Sequence, residues 1–204
     1  MDGNLPGLLA LTAEAGALLV IDDAHATGVW NAYGSLEHFG PRLTPEVAMV
    51  GTFGKALGGL GGFVAGSAPV IDCLINQARA FLCTTAPPLP AVAAADLRLV
   101  DEKTWWRDKL HQLGPHLRAR LGDLGLRVLF QDGAIIPLLM GGAEKSLAIG
   151  QALPTAGALT QAFQPPTVPP GTSRVRLTVT AAYEMADMDQ DTLAIAAAAQ
   201  EVGI

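Results

Sequence analysis

Short apolar runs that end in glycines or polar residues recur in the first half of the chain. The clearest is Val47–Val50, which is followed by two glycines within residues 51–54. An uninterrupted apolar run of this length is typical of a strand that is buried on both faces of a parallel sheet. Leu18–Ile21, which ends in Asp22, and Gly62–Gly66 have a similar character. The pattern therefore predicts three strands in this half of the chain.

Segments with helical spacing of apolar residues lie before and after these strands. The first is a short helix near the N-terminus, whose buried face is predicted to carry Leu8, Leu9, Leu11 and Thr12. The next helix is predicted to start at Ser67, a suitable N-cap, with Pro69 in its first turn, and to run to Ala78. Because strands that alternate with helices are typical of a parallel sheet, we expect an α/β unit here.

The second half of the chain has a different order of elements. A long helical stretch is predicted over Pro90–Asp123, with an interruption around Gly114–Pro115. Two strands and two helices are predicted after it, at Arg127–Phe130, Ile135–Met140, Ala143–Leu153 and Asp187–Val202. We place a domain boundary in the long helix, which gives a large unit over residues 1–104 and a small α+β unit over residues 105–204.

Two arginines lie on one face of a further predicted strand. Val175, Leu177 and Val179 alternate with polar positions, which indicates a half-exposed strand. The same alternation places Arg174 and Arg176 together on the other face. The pattern alone leaves two interpretations open, namely surface arginines on an edge strand or a site for an anionic ligand.

Lys55 is the first candidate for chemistry, because it follows the end of the Val47–Val50 strand. Ligands of open α/β sheets bind beyond the carboxyl ends of the strands. A solvated loop lysine is the simplest alternative. A P-loop is disfavoured because Ala56 stands where that motif needs Ser or Thr, and the dinucleotide fingerprint that begins at Gly59 is incomplete because Val64 replaces its last glycine.

A second polar group follows the Leu18–Ile21 strand, at Asp22, Asp23 and His25. A carboxylate at the end of a buried strand is costly to desolvate unless it meets a cation, and a protonated heteroaromatic nitrogen would serve. Asp22 is the candidate for this contact. A metal site formed by the three residues is the competing hypothesis, although no second His or Cys with ligand spacing lies nearby.

Three motifs in this order resemble the α-oxoamine synthase family of fold-type I pyridoxal phosphate (PLP) enzymes. They are DDAHATG at residues 22–28, TFGKALGG at residues 52–59 and QPPTVPPGTSRVR at residues 164–176. The third resembles the 8-amino-7-oxononanoate synthase branch. The resemblance implies an α/β fold, with part of a mostly parallel, helix-flanked PLP-binding sheet followed by a small α+β C-terminal domain.

The resemblance also implies how the residues of the first two motifs hold the cofactor. Lys55 would form the Schiff base with PLP, with an amine kept reactive by partial burial and a cationic neighbour. Asp22 would keep the ring nitrogen protonated, and His25 would contact the phenolic oxygen of the ring. Thr52 and Thr84 would hold the cofactor phosphate, Thr84 in the site of a neighbouring subunit, which implies a homodimer.

The third motif is implied to bind substrate. Arg176 would hold the carboxylate of the amino acid through a bidentate pair, and Thr167 matches a threonine near the cofactor phosphate. The implied reaction is the decarboxylative condensation of L-alanine with a pimeloyl thioester of coenzyme A or a carrier protein, which gives 8-amino-7-oxononanoate for biotin biosynthesis. Lys55 would also remove the α proton of the amino acid.

The resemblance covers roughly the second half of a typical family member. We therefore expect that the chain by itself is inactive if the other half is not supplied. Two alternatives stay open. The chain could belong to a related synthase that transfers an acetyl group to glycine, or it could be a non-catalytic module that dimerises or packs against another polypeptide.

Composition adds limits to these hypotheses. A net charge of −6, with no run of Lys or Arg, argues against a nucleic-acid partner. No apolar run approaches the ~20 residues needed to cross a bilayer. Cys73 and Cys83 are not spaced as a disulfide framework, so we expect two small buried apolar groups in a protein of the reducing cytoplasm.

Overall fold

A computed structural model describes residues 4–40, 44–85, 97–129 and 133–204. The chain divides into two compact units, Met1–Arg107 and Asp108–Ile204. Its helices and strands are α1 (Leu5–Ala15), β1 (Leu19–Asp22), α2 (Ser35–Phe39), β2 (Val47–Thr52), β3 (Gly62–Ala65), α3 (Ala68–Gln77), α4 (Arg79–Leu82), α5 (Thr104–Asp123), β4 (Ile135–Gly141), α6 (Ala143–Thr155), β5 (Gln161–Phe163), β6 (Ser173–Thr178) and α7 (Met185–Glu201). Residues 97–102 are also helical.

The first unit contains a sheet in which β2 is central, in the order β1-β2-β3. All three predicted strands are confirmed. β1 runs parallel to β2 with Asp22 opposite Val50, whereas β3 runs antiparallel to β2 with Phe63 opposite Gly51. The expectation of a parallel pair was therefore wrong for β3. The chain returns from β2 to β3 through the short loop of residues 53–61, and a parallel partner would need a longer crossover.

The helix predicted at the N-terminus is confirmed as α1, but its buried face was predicted incorrectly. Leu11 is 61% exposed and Leu8 is exposed as well, whereas Leu5 is buried and Leu9 is partly buried. Leu5 packs in one cluster with Val47 of β2. Leu5 and Leu9 are four residues apart and share a helix face, so this face covers the sheet and Leu8 and Leu11 do not.

The second unit has its own sheet and core. The strand order is β4-β6-β5, with both pairs antiparallel. Helices α5, α6 and α7 and strands β4 and β6 contribute fully buried residues to one cluster, among them Leu113, Leu121, Ile136, Ile149, Val175 and Ile195. Each such side chain stabilises the fold by roughly 1.5–3 kcal/mol relative to exposure. The predicted strand at Ile135–Met140 and the helix after it are confirmed as β4 and α6.

Three predicted features of this half of the chain are corrected. The long helix is not interrupted at Gly114–Pro115, because α5 continues through both residues, and the break lies at Lys103. The predicted start at Pro90 lies outside the described residues. Of the strand predicted at Arg127–Phe130, the described part forms a single antiparallel bridge between Val128 and Leu138. The third concerns β6, where one of the two interpretations left open for Arg174 and Arg176 required an edge strand, whereas β6 is the central strand of its sheet.

The prediction that both cysteines are buried is also wrong, since Cys73 and Cys83 are free and exposed. Cys73 lies on α3, none of whose residues is buried, and Cys83 follows α4. We expect two thiols per chain to react with a disulfide reagent in native buffer. A thiol count that reaches two only after denaturation in guanidinium chloride would contradict this exposure.

One acidic residue cross-links α7 to α5. The Asp189 carboxylate lies 3.0 Å from His116 Nε2 and accepts a hydrogen bond of 3.0 Å from Arg120 Nε. The hydrogen bond with His116, and to a smaller extent that with Arg120, lowers the pKa of Asp189 in the folded state.

We expect these contacts to contribute stability at neutral pH that is lost in acid. Because the folded pKa lies below the unfolded one, the contribution is present above about pH 4 and disappears as the pH falls through the folded pKa. Asp189→Asn should therefore lower the urea midpoint at pH 7, and this loss should become smaller as the pH falls through the folded pKa. A loss that stays the same as the solution is acidified would show that the effect is not electrostatic.

None of the helices in the described ranges is long and apolar enough to span a membrane.

Candidate functional site

The carboxyl ends of β1 and β2 bring two of the candidate segments to one edge of the first sheet. Asp22 is the last residue of β1, and Thr52 is the last residue of β2. Since the two strands are parallel and Asp22 is opposite Val50, the segments that follow β1 and β2 leave the sheet on the same side. Lys55 follows three residues after Thr52. The sheet therefore brings the Asp22 segment and the Lys55 loop to the same edge.

The Lys55 loop is held by its own backbone. Gly59 N donates to Phe53 O at 2.6 Å, Phe53 N donates to Gly61 O at 3.0 Å, and Gly58 N donates to Lys55 O at 3.0 Å. Lys55 itself is exposed, so the partial burial expected for its amine is not present. Within the described ranges its ammonium forms no ion pair. A fixed backbone thus presents an accessible, unpaired amine.

The two neighbouring aspartates of the first motif have opposite environments. Asp22 is exposed and accepts a hydrogen bond of 3.1 Å from Ala24 N, whereas Asp23 is 1% exposed. Side chains of consecutive residues at a strand end point to opposite faces, which separates the two carboxylates. β1 is half-exposed rather than buried, so Asp22 avoids the desolvation cost that the sequence predicted for it.

Asp23 organises the turn that carries His25. Its carboxylate oxygens accept hydrogen bonds of 3.2 and 3.1 Å from Ser35 N and one of 3.3 Å from Thr27 Oγ1. Gly34 packs against it so closely that a Cβ there would lie 1.7 Å from Asp23 Oδ2. This structural role was missed at the sequence level, although the alternation of faces in a strand could have separated Asp23 from Asp22.

Thr52 closes the loop after β2 and is only partly available to a ligand. Its hydroxyl donates to Gly61 O at 3.0 Å and accepts from Gly54 N at 3.1 Å. A hydroxyl has one donor hydrogen, so Thr52 must release Gly61 before it can donate to a phosphate. His25 and Thr84 are exposed, the first in the turn after β1 and the second just after α4. The described part of the chain holds no cluster of side chains suited to a metal ion.

Arg176 and Thr167 belong to the second unit. Arg176 Cζ lies 4.7 Å from the centroid of the Phe163 ring, a cation–π contact between β6 and β5. Arg174 donates instead to Thr172, through Nε to the carbonyl and Nη2 to the hydroxyl, both at 3.0 Å. Thr167 is exposed in the turn that follows β5. Phe163 was missed because β5 is too short to show a periodicity.

Comparisons with known proteins agree over most of the chain. The family model described as aminotransferase class I and II matches residues 4–194. An 8-amino-7-oxononanoate synthase from Cellvibrio japonicus is 44% identical over 197 residues, which cover 93% of this chain and 50% of that protein. A second from Nitrosococcus oceani is 43% identical over 195 residues, with 92% and 52% covered.

A solved structure has the same fold. Serine palmitoyltransferase from S. paucimobilis, with a bound PLP–myriocin aldimine, superposes with a TM-score of 0.89 at 26% identity, over 98% of this chain and 52% of that one. The chain thus spans about half the length of the relatives that it matches. The matches confirm the resemblance found in the three motifs, and the chain belongs to the aminotransferase class I and II family.

Proposed function

We propose that this chain carries the cofactor lysine of a PLP-dependent acyltransferase. The observation that supports this most strongly is the geometry of the first sheet, which brings the exposed amine of Lys55 and the exposed carboxylate of Asp22 to the same edge. Bound PLP supplies an electron sink for the carbanion formed beside the amino group of a substrate. The relatives named 8-amino-7-oxononanoate synthase support the same cofactor chemistry.

The residues at this edge fit the functional groups of PLP. An unpaired amine suits the aldehyde, a carboxylate suits a protonated ring nitrogen, and a threonine hydroxyl suits a phosphate. Asp22 keeps lone pairs free, because a carboxylate can accept about four hydrogen bonds and, within the described part of the chain, the Asp22 side chain accepts one, from Ala24 N. The fit requires only that Thr52 turns away from Gly61.

In this proposal each residue has a defined task. Lys55 would hold the cofactor covalently and, with an amino acid bound, would take its α proton on Nζ. Asp22 would hold the proton on the ring nitrogen, and His25 would donate to or accept from the phenolic oxygen. Thr52 would contact the phosphate. Because Lys55 is exposed in this chain, its amine would lose its water contacts only when bound groups or other parts of the protein cover it.

The proposed reaction is the decarboxylative condensation of L-alanine with a pimeloyl thioester. The new C–C bond joins the alanine α carbon to the acyl carbon, the thiol of the carrier leaves, and loss of the carboxylate as carbon dioxide gives 8-amino-7-oxononanoate. Arg176 would hold the alanine carboxylate beforehand, with its guanidinium oriented by Phe163, and Thr167 would lie near the cofactor phosphate. A glycine-using acetyl transfer is the alternative within the same family.

A homodimer with shared sites is part of the proposal. Thr84 is exposed just after α4, so its hydroxyl is accessible to the phosphate of a cofactor in a neighbouring subunit. The free, exposed thiols of Cys73 and Cys83 suit a reducing compartment, which supports a cytoplasmic location.

A non-catalytic interaction module is a second candidate, and one observation favours it. Among the described residues β1 is an edge strand, and the side chain of Val20 on it is 60% exposed. An exposed apolar edge strand is a surface on which another polypeptide strand can pair. This candidate predicts binding to a partner without covalent attachment of PLP.

The distinguishing experiment is a trap of the cofactor. The purified chain is mixed with PLP, reduced with borohydride and digested for mass spectrometry. We expect one stable adduct, on Lys55, and none on Lys103, Lys109 or Lys145. Labelling spread over all four lysines, or no adduct, would contradict the proposal for this chain. Product analysis with L-alanine, glycine and L-serine against pimeloyl and acetyl thioesters then separates the two acyltransferase alternatives.

A further inference from the structure

A cavity of about 200 Å³ lies in the first unit, directly beside the Lys55 loop. One wall consists of Ala56, Leu57 and Gly58, the three residues that follow Lys55. The opposite wall comes from helical residues 99–100 and from Lys103, Trp106 and Arg107. Gly28 completes the lining, and a Cβ at this glycine would approach the Ala56 Cβ to 3.1 Å. Gly28 and Ala56 therefore lie close together where the Lys55 loop forms the cavity wall.

Two cationic side chains line this small cavity, and neither is neutralised. Within the described ranges, neither Lys103 nor Arg107 has a carboxylate oxygen within 4.0 Å. The acidic neighbour Asp101 is engaged elsewhere, since it accepts a hydrogen bond of 3.0 Å from Tyr33 Oη. The positive charges are notable in a chain of net charge −6. Two unpaired cations at one cavity favour an anionic ligand.

The guanidinium of Arg107 is also fixed in place. Its Nη1 donates a hydrogen bond to Val100 O, which lies on the cavity wall. This contact uses one of the five N–H donors of the guanidinium, so the others remain available to an oxyanion. An arginine whose position is already fixed loses less conformational entropy when it binds a ligand.

We propose that this cavity binds a phosphoryl group at the carrier end of the acyl thioester. The inference rests on the proposed function, which requires such a thioester. A volume of about 200 Å³ is below the ~300–1,000 Å³ of a pocket for a whole drug-sized ligand, so the cavity accepts one terminal group and leaves the rest of the carrier in solvent. Phosphoryl oxygens pair with Arg and Lys, and the indole of Trp106 offers an apolar surface to the adjoining part of the carrier.

The position of the cavity gives this binding a consequence for catalysis. Residues 56–58 belong both to the cavity wall and to the loop of Lys55, whose carbonyl accepts from Gly58 N. A carrier bound here is therefore held beside the loop that carries Lys55. Tethering raises the effective concentration of the thioester next to the amino acid.

The test is direct binding of coenzyme A to the full chain in the absence of PLP. Binding is measured by tryptophan fluorescence and by equilibrium dialysis. We expect saturable binding that weakens with added salt. Lys103→Ala and Arg107→Ala should each weaken binding about fivefold to tenfold, less than for fully desolvated pairs because the cavity is open to solvent. Lys109→Ala is the matched control, because it removes one positive charge from α5, the helix of Arg107, but Lys109 is paired with Glu184 and does not line the cavity.

Three comparisons decide the outcome. Pantetheine, which lacks phosphoryl groups, should show no saturable binding, and inorganic phosphate should bind at least about tenfold more weakly than coenzyme A. The proposal is overturned if pantetheine binds as tightly as coenzyme A, if phosphate alone matches it, or if both cavity variants bind like Lys109→Ala. Lys55→Ala should retain coenzyme A binding, so a failure of this site and a failure of the PLP site give different results.

Discussion

Replacing Lys55 by alanine is expected to abolish covalent attachment of PLP and to lower the rate of condensation at least about 10⁴-fold. The variant loses both the nucleophile that bonds the cofactor and the base that removes the α proton, and general base catalysis alone contributes roughly 10²–10⁴-fold. The measurements are the borohydride trap and the rate of 8-amino-7-oxononanoate formation by the assembled enzyme. No comparable effect on stability is expected, because the Lys55 side chain is exposed.

Two further variants make this result specific. Lys55→Arg keeps the positive charge but does not form the covalent bond, so it should be as inactive as Lys55→Ala. Lys145→Ala removes another lysine, whose ammonium donates to Gly203 O at 3.0 Å, and should leave the adduct on Lys55 unchanged. An adduct that persists in Lys55→Ala, or full activity in Lys55→Arg, would exclude Lys55 as the cofactor lysine.

Replacing Gly34 by alanine is expected to lower the free energy of unfolding by about 3 kcal/mol. Gly34 has a φ of +86°, a region that L-residues rarely adopt. The new Cβ would also lie 1.7 Å from Asp23 Oδ2, so the buried carboxylate must move and lose its hydrogen bonds to Ser35 N. Backbone strain costs roughly 1–2 kcal/mol and an unsatisfied buried acceptor roughly 1–3 kcal/mol. Urea denaturation at pH 7 measures the sum.

Gly16→Ala provides the matched control for the steric part of this prediction. Gly16 also has a positive φ, +61°, but a Cβ there would meet no atom within 4 Å. Only the backbone cost of about 1 kcal/mol should therefore be measured. If the two substitutions cost the same, the close packing of Gly34 against Asp23 does not contribute to stability.

Much of the candidate site was predicted from local sequence because its signals are local. The end of the Val47–Val50 run is visible in the apolar pattern, and the glycines that follow mark the loop of Lys55. The sequence placed Asp22 and Lys55 after two predicted strands, and the parallel pairing of these strands brings both residues to the same edge. The reliable predictions thus concerned residues whose position depends on their immediate neighbours.

Predictions that required knowledge of a partner were less successful. Asp23 is buried and structural because Ser35 N and Gly34, more than ten residues away, close over it. Leu11 and Cys73 are apolar or weakly polar, yet both are exposed, and no other element among the described residues covers them. Burial is a property of long-range packing, so hydropathy along the chain could not decide these cases.

By itself the sequence determined the family, the principal strands and helices, and the segments that carry the candidate chemistry. Each of these is encoded in short motifs and in apolar periodicity. Only the tertiary structure decided the antiparallel direction of β3, the central position of β6 with Arg176 beside Phe163, and the cavity that joins Lys103 and Arg107 to the Lys55 loop. These features bring together residues from separate segments, and the free energy that selects them comes from contacts formed only when the chain is folded.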